Sequence, residues 1–154
     1  MNGMLDKEFI QRKIALIHDD LRHLIQHENL TIDKISEDFY TQAFVERVLE
    51  RLIGRALDIN QHIIAEKGGT LENVTTYRDT FLRLVDLGIY PREFAEQIAI
   101  RDFVPRRESA GLRNVLVHEY NTINPEILQK SIGEAIKEFN EYSKYILSFV
   151  ERDG

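Results

Sequence analysis

The chain contains no cysteine. That excludes a disulfide framework, a thiolate zinc site and a cysteine nucleophile together, and it fits a reducing compartment. Basic residues are also in short supply, with 20 Lys+Arg against 26 Asp+Glu, a formal net charge of -6 and a pI near 5.4. A general nucleic-acid coat protein is basic all over, so any nucleic-acid contact here must use a local basic patch. No run approaches the ~18 apolar residues of a membrane span. The first residues include Asp6 and Glu8 where a secretory signal needs an apolar stretch. A soluble, cytoplasmic protein is expected. What is present is a 43% hydrophobic, 30% charged composition over 154 residues, which suits one folded domain spanning 1–154.

The apolar spacing is helical almost throughout. Ile10, Ile14, Ile17, Leu21 and Leu24 recur at steps of four and three, and so do Val45, Leu49, Leu52, Ala56, Ile59 and Ile63. Such seams belong to long helices packed nearly antiparallel in a bundle. A connection containing Asn29, Thr31 and Asp33 separates them and offers a helix cap, and Gly68-Gly69 stops the second helix. Thr75 or Thr76 can cap a shorter helix carrying Phe81, Leu82, Leu84 and Val85, which ends at Gly88. Pro91 suits the first turn of a helix from Arg92 to about Phe103, and Pro105 breaks or kinks any continuation past it. A helix from about Arg106 to Tyr120 and a turn at residues 121–125 precede a last helix. That helix carries Ile127, Leu128, Ile132, Ile136, Phe139, Tyr142, Ile146 and Phe149. The fold class expected is all-α, an up-and-down bundle of about five to six helices with two long ones in the N-terminal half.

One segment concentrates polar chemistry inside an apolar helix: Arg113-Asn114-Val115-Leu116-Val117-His118-Glu119-Tyr120. At ~100° per residue, Leu112, Val115 and Leu116 share a face that must point into the bundle. Asn114 and His118 lie together on another face, while Arg113 and His118 diverge by roughly 140°. One helix cannot easily aim both at one point, but two copies related by a two-fold axis can surround a shared cleft. A guanidinium grips non-bridging phosphate oxygens bidentately, and an imidazole with a free pKa near ~6.5 exchanges protons at neutral pH. RNA brings its own nucleophile, the 2′-hydroxyl, so the chemistry requires no metal. Arg and His at this spacing also occur as a salt-linked structural pair, and spacing alone does not separate the two.

The octet resembles the Arg-x4-6-His signature of the HEPN superfamily, and most closely the HepT-type toxins, whose pattern reads Arg-Asn-x-Leu-Val-His-x-Tyr. The segments Ala56–Ile64, Tyr77–Phe81, Gly88-Ile89 before a Pro-started helix, and the Ile123-Asn124-Pro125-Glu126 turn resemble the same family. The resemblance implies a small helical bundle that dimerises with two motifs facing across a positive cleft. It implies a metal-independent endoribonuclease toxin needing no cofactor, partnered by a minimal nucleotidyltransferase antitoxin of the MNT type that transfers AMP to the motif tyrosine. Carried over by residue, Arg113 binds phosphate, His118 is the acid/base, Asn114 orients the motif and Tyr120 is the modification site. Leu112 stands where the family often has Phe, and the Phe103-Val104-Pro105-Arg106-Arg107 stretch departs from the family's pattern.

Arg101, Arg106, Arg107 and Arg113 form the densest basic patch and adjoin the motif, either as an RNA-backbone contact through Arg106 and Arg107 or as a solvated helix face. Asp58 either helps the motif as a carboxylate or makes an ion pair within the bundle. His23 and His27 are four apart, as two metal ligands are, but a third ligand at a recognisable spacing is missing. Gly68-Gly69 follows a helix and is no phosphate loop. Tyr142 and Tyr145 sit at core spacing. Two further function classes stay open: a non-catalytic binding subunit that partners a nucleotidyltransferase, and a structural bundle with a buried Arg–His–Tyr network.

Overall fold

The computed structural model describes residues 4–68, 74, 76–99 and 125–153. Among them are six helices: α1 (Lys7–Ile25), α2 (Ile32–Glu37), α3 (Phe39–Lys67), α4 (Tyr77–Asp86), α5 (Arg92–Ala99) and α6 (Pro125–Asp153). The described residues contain no strand. None of these helices is long and apolar enough to cross a membrane.

The first four helices start where a side chain satisfies free amide groups. Asp6 accepts from the Phe9 amide, Thr31 from Lys34, and Asp38 from Tyr40 and Thr41. The Thr41 side chain and amide hold the Asp38 carboxyl below its ordinary pKa. Thr76 and Asp79 form a reciprocal capping box at the start of α4, which decides between the two candidate threonines. The expected plain connection between the long helices contains α2 instead, seated by the buried Ile35. α3 ends after Lys67, as the paired glycines suggest, and a Cβ on Gly68 would meet the Ile64 carbonyl oxygen at 3.0 Å. Gly88 takes φ +75°, a left-handed turn that only glycine adopts without strain. Pro125 opens α6 at the first helical position, where its missing N–H costs nothing.

The directions of the long helices are set by their cross-contacts. Phe9 meets His62, Lys13 meets Asp58, Asp20 meets Arg55, and His23 meets Phe44. Descending partners along α3 make α1 antiparallel to it. Tyr142 reaches Asn60 and Asp153 pairs with Lys67, so α6 runs parallel to α3. α4 and α5 pack on each other, and α4 on α3. The expected seams of α1 and α3 are buried, at 3% exposure or less. On α6, Leu128, Ile132, Phe139, Tyr142 and Ile146 are buried, with Ile127, Ile136 and Phe149 packed at the core's margin.

A polar chain crosses this apolar core. The Tyr142 hydroxyl donates to Asn60 Oδ1 at 2.5 Å, Asn60 Nδ2 donates to Thr80 Oγ1 at 3.1 Å, and Thr80 donates to the Tyr77 carbonyl at 2.7 Å. Every member is buried and paired, so the chain ties α6, α3 and α4 together without an orphaned group. Tyr90 adds a parallel tie, its hydroxyl donating to the Phe81 carbonyl at 2.8 Å.

Candidate functional site

The octet Arg113–Tyr120 lies outside the described residues, and so do Arg101, Arg106 and Arg107. The residues expected to carry the chemistry, Arg113, Asn114, His118 and Tyr120, therefore have only their sequence context. The segment that holds them runs from the end of α5 at Ala99 to the start of α6 at Pro125. Asp58 is the expected site residue that the structure describes.

Asp58 lies on α3, and its carboxylate takes a 2.8 Å ion pair from Lys13 on α1. The Lys13 ammonium also sits 5.6 Å from the Phe9 ring centroid. Asp58 is thus an ion-pair partner within the bundle, one of the two roles its sequence position allowed. Its side chain is still 48% exposed and stands on a groove of about 390 Å³. The described walls of that groove come from α3 alone, chiefly Arg47, Arg51, Gly54, Arg55, Asp58 and Gln61. These are the residues opposite the buried seam, at helical spacing.

Beneath the groove is a charge cluster that sequence reasoning missed. Asp20 of α1 is fully buried, and its Oδ2 accepts from Arg55 Nε at 2.7 Å. Arg51 Nη2 lies 3.1 Å from Oδ1, close enough to pair electrostatically but without hydrogen-bond alignment. A buried carboxylate requires such cationic partners, because its desolvation is otherwise prohibitive. The signal was present in the sequence: Asp20 occupies a seam position of α1 between Ile17 and Leu24, where an acid is out of place. Asn60 carries the same signal on α3.

His23, His27 and His62 do structural work. His27 Nδ1 bonds the His23 carbonyl at 2.9 Å, and both rings pack on Phe44. His62 accepts from the Asp6 amide at 2.9 Å and fixes the entry to α1. Among the described residues no group of three or more His, Asp or Glu is placed to hold a metal ion. Tyr142 and Tyr145 are packing residues, Tyr145 stacking near Tyr90 and Phe94 at 5.8 and 5.1 Å.

Residues 10–146 match the family described as Ribonuclease HepT-like. The chain is 33% identical over 147 residues to the tRNA nuclease HepT of Aphanizomenon flos-aquae (strain 2012/KM1/D3), covering 95% of this chain and 92% of that one. Among solved structures, a toxin-antitoxin with AMP-PNP superposes with a TM-score of 0.71 at 22% identity, over 92% of this chain and 98% of the other. A mutant of the toxin-antitoxin MntA-HpeT gives 0.68 at 22% identity with the same coverage. At that identity the two structures speak for the fold.

Proposed function

Since the chain belongs to the HepT-like ribonuclease family, we propose that it is an RNA-cleaving toxin of a toxin–antitoxin pair, acting as a homodimer without a metal. The observation that carries this reading is the complete octet Arg113–Tyr120 inside the span 10–146 that matches the family. Its similarity to a named tRNA nuclease makes tRNA the substrate to try first.

In this reading His118 takes the proton of a ribose 2′-hydroxyl, whose oxygen attacks the adjacent phosphorus. The bond from phosphorus to the 5′-oxygen of the next nucleotide breaks. That oxygen leaves with the electron pair and takes up a proton from an imidazolium or water, and a 2′,3′-cyclic phosphate results. Proton transfer of this kind contributes about 10²–10⁴-fold. Arg113, from either protomer, holds the non-bridging oxygens and stabilises the charge that builds on them. Asn114 orients the motif, Asp58 supports it from α3 while held by Lys13, and Arg106 and Arg107 contact the RNA backbone.

The proposed partner is an MNT-type nucleotidyltransferase antitoxin that moves AMP from ATP onto the Tyr120 hydroxyl, releasing pyrophosphate. Phosphate added there carries negative charge into the cleft and repels RNA. The resemblance to a toxin-antitoxin crystallised with AMP-PNP supports a nucleotide-handling partner.

The test is incubation of the purified chain with tRNA in EDTA, wild type against His118→Ala. Cleavage by the wild type with cyclic-phosphate ends, lost in the variant, is expected. Equal cleavage by both, or none by either, removes the nuclease assignment.

A further inference from the structure

On α3, the residues at 40, 44, 47, 51, 54 and 55 fall within an arc of about 100° at 100° per residue. They are Tyr40, Phe44, Arg47, Arg51, Gly54 and Arg55, and they run about 22 Å along the helix at 1.5 Å per residue. Tyr40 is 83% exposed, and Phe44, whose ring packs on His23 and His27, is still 40% exposed. The side chains of Arg47 and Arg51 are 62% and 43% exposed. An exposed aromatic pair leading into an arginine row on one helix face is what single-stranded nucleic acid uses: rings for bases, guanidiniums for phosphates.

Along this row the guanidiniums of Arg47 and Arg51 stand outermost, in an otherwise acidic chain. Asp20 is fully buried beneath the row, and Glu50, 3.9 Å from Arg47 and 13% exposed, lines the groove beside it, so Arg47 and Arg51 reach further into solvent than the acids next to them. Asp20 holds Arg55 and Arg51 from below and leaves outward N–H groups of Arg51 to a ligand. Asp58, half exposed and engaged with Lys13, closes the row at its far end, because its charge repels phosphate. Gly54 lies on the groove between the arginines, and among the described residues no atom comes within 4 Å of where its Cβ would be. A glycine inside a helix is destabilising relative to alanine, and close approach of a ligand to the helix backbone gives a reason for one here.

We propose that this face of α3 is a single-stranded RNA track, with Arg47 and Arg51 gripping phosphates, Tyr40 stacking a base and Phe44 adding apolar contact beside it. It extends the nuclease reading, on which it rests for the identity of the ligand, and it assigns contact residues outside the Arg113–Tyr120 motif.

The experiment measures binding rather than cleavage. A fluorescein-labelled single-stranded RNA oligonucleotide is titrated by anisotropy with the full chain carrying His118→Ala, over a series of salt concentrations. In that background Arg47→Ala, Arg47→Ala with Arg51→Ala, and Tyr40→Ala are compared with Arg92→Ala. Arg92 is an exposed residue of α5 paired with Glu96 and serves as the charge control. The double arginine variant is expected to lower the slope of log affinity against log salt by about 1.4, at ~0.7 per phosphate contact. Loss of Tyr40 is expected to weaken binding roughly 5- to 150-fold, the range for one stacked base, whereas Arg92→Ala binds like its parent. Circular dichroism checks that each variant is folded, and Arg47→Ala, a surface change, keeps the test available if the double variant is not.

Unaltered affinity and salt slope in the ridge variants overturn the track, as does a parent that binds no RNA. A fall in the chain's sedimenting mass with RNA binding unchanged also overturns it, by giving the face to a second protein copy. Weakened binding in these variants alongside a wild type that never cleaves keeps the track and removes the nuclease reading. Cleavage by the wild type with indifferent ridge variants does the reverse.

Discussion

Replacing Tyr142 with Phe removes one oxygen atom and leaves the ring in place against Phe81, Phe139 and Tyr90, at centroid distances of 5.9, 6.2 and 6.4 Å. The lost hydroxyl is the only described donor to Asn60 Oδ1, whose amide cannot turn over because its Nδ2 is committed to Thr80. The variant therefore buries an unsatisfied carbonyl-type oxygen, a loss of about 1–3 kcal/mol. At roughly 2–4 °C per kcal/mol for a chain of this length, a loss near ~2 kcal/mol lowers Tm by about 4–8 °C.

The same hydroxyl has a pH signature. Burial pushes the phenols of Tyr142 and Tyr90 well above their ordinary value, Tyr142 further through its neighbour Tyr90. In the unfolded chain both ionise near ~10, whereas in the folded chain they keep their protons. Their contribution is therefore complete below that pH and falls as pH rises above it, by about 1.4 kcal/mol per pH unit for each tyrosine. Urea unfolding of wild type and Tyr142→Phe across pH 8 to pH 11, roughly the window around the free phenol value, tests both statements. The variant should start lower and decline with about half the alkaline slope. A neutral-pH loss below about 0.5 kcal/mol, or an unchanged alkaline slope, would refute the argument that this network is sealed and fully paired.

Asp20→Ala strands two guanidiniums, but Arg51 and Arg55 are partly exposed and can turn to water, so the loss should fall below the ~3–5 kcal/mol of a wholly buried broken pair. Arg55→Ala leaves a buried carboxylate with one poorly aligned partner and should cost more; chemical denaturation of both variants checks the order. Gly88→Ala places a side chain at φ +75° and should destabilise by about 1 kcal/mol or more despite open space around the site, read as a lowered urea midpoint.

Much of the bundle was legible before any coordinates. The seams Ile10–Leu24 and Val45–Ile63 mark buried faces because a helix repeats every 3.6 residues, and a face that is apolar for about four to five turns has to be covered. A cap at Thr75 or Thr76 and the stop at Gly88 were legible for the same local reason, since caps and left-handed turns depend on a few adjacent residues. α2 was not. Its six residues are too short for a periodic signal, and it is held by Thr31 and one buried side chain, Ile35. Of the candidate site, the octet and its family were legible in one dimension, while the ion-pair role of Asp58 needed α1 beside it.

By itself the sequence determined the helical class, the buried faces, the motif Arg113–Tyr120 and membership of the HepT-like family, because each of these is written in residues close together or in a chain-long match. Tertiary structure decided which residues meet: Asp20 with Arg51 and Arg55, Lys13 with Asp58, and Tyr142 with Asn60 and Thr80. Those pairings depend on the direction and register of α1 and α6 against α3. A one-turn slide of ~5.4 Å would keep every seam apolar and still break all of these ties.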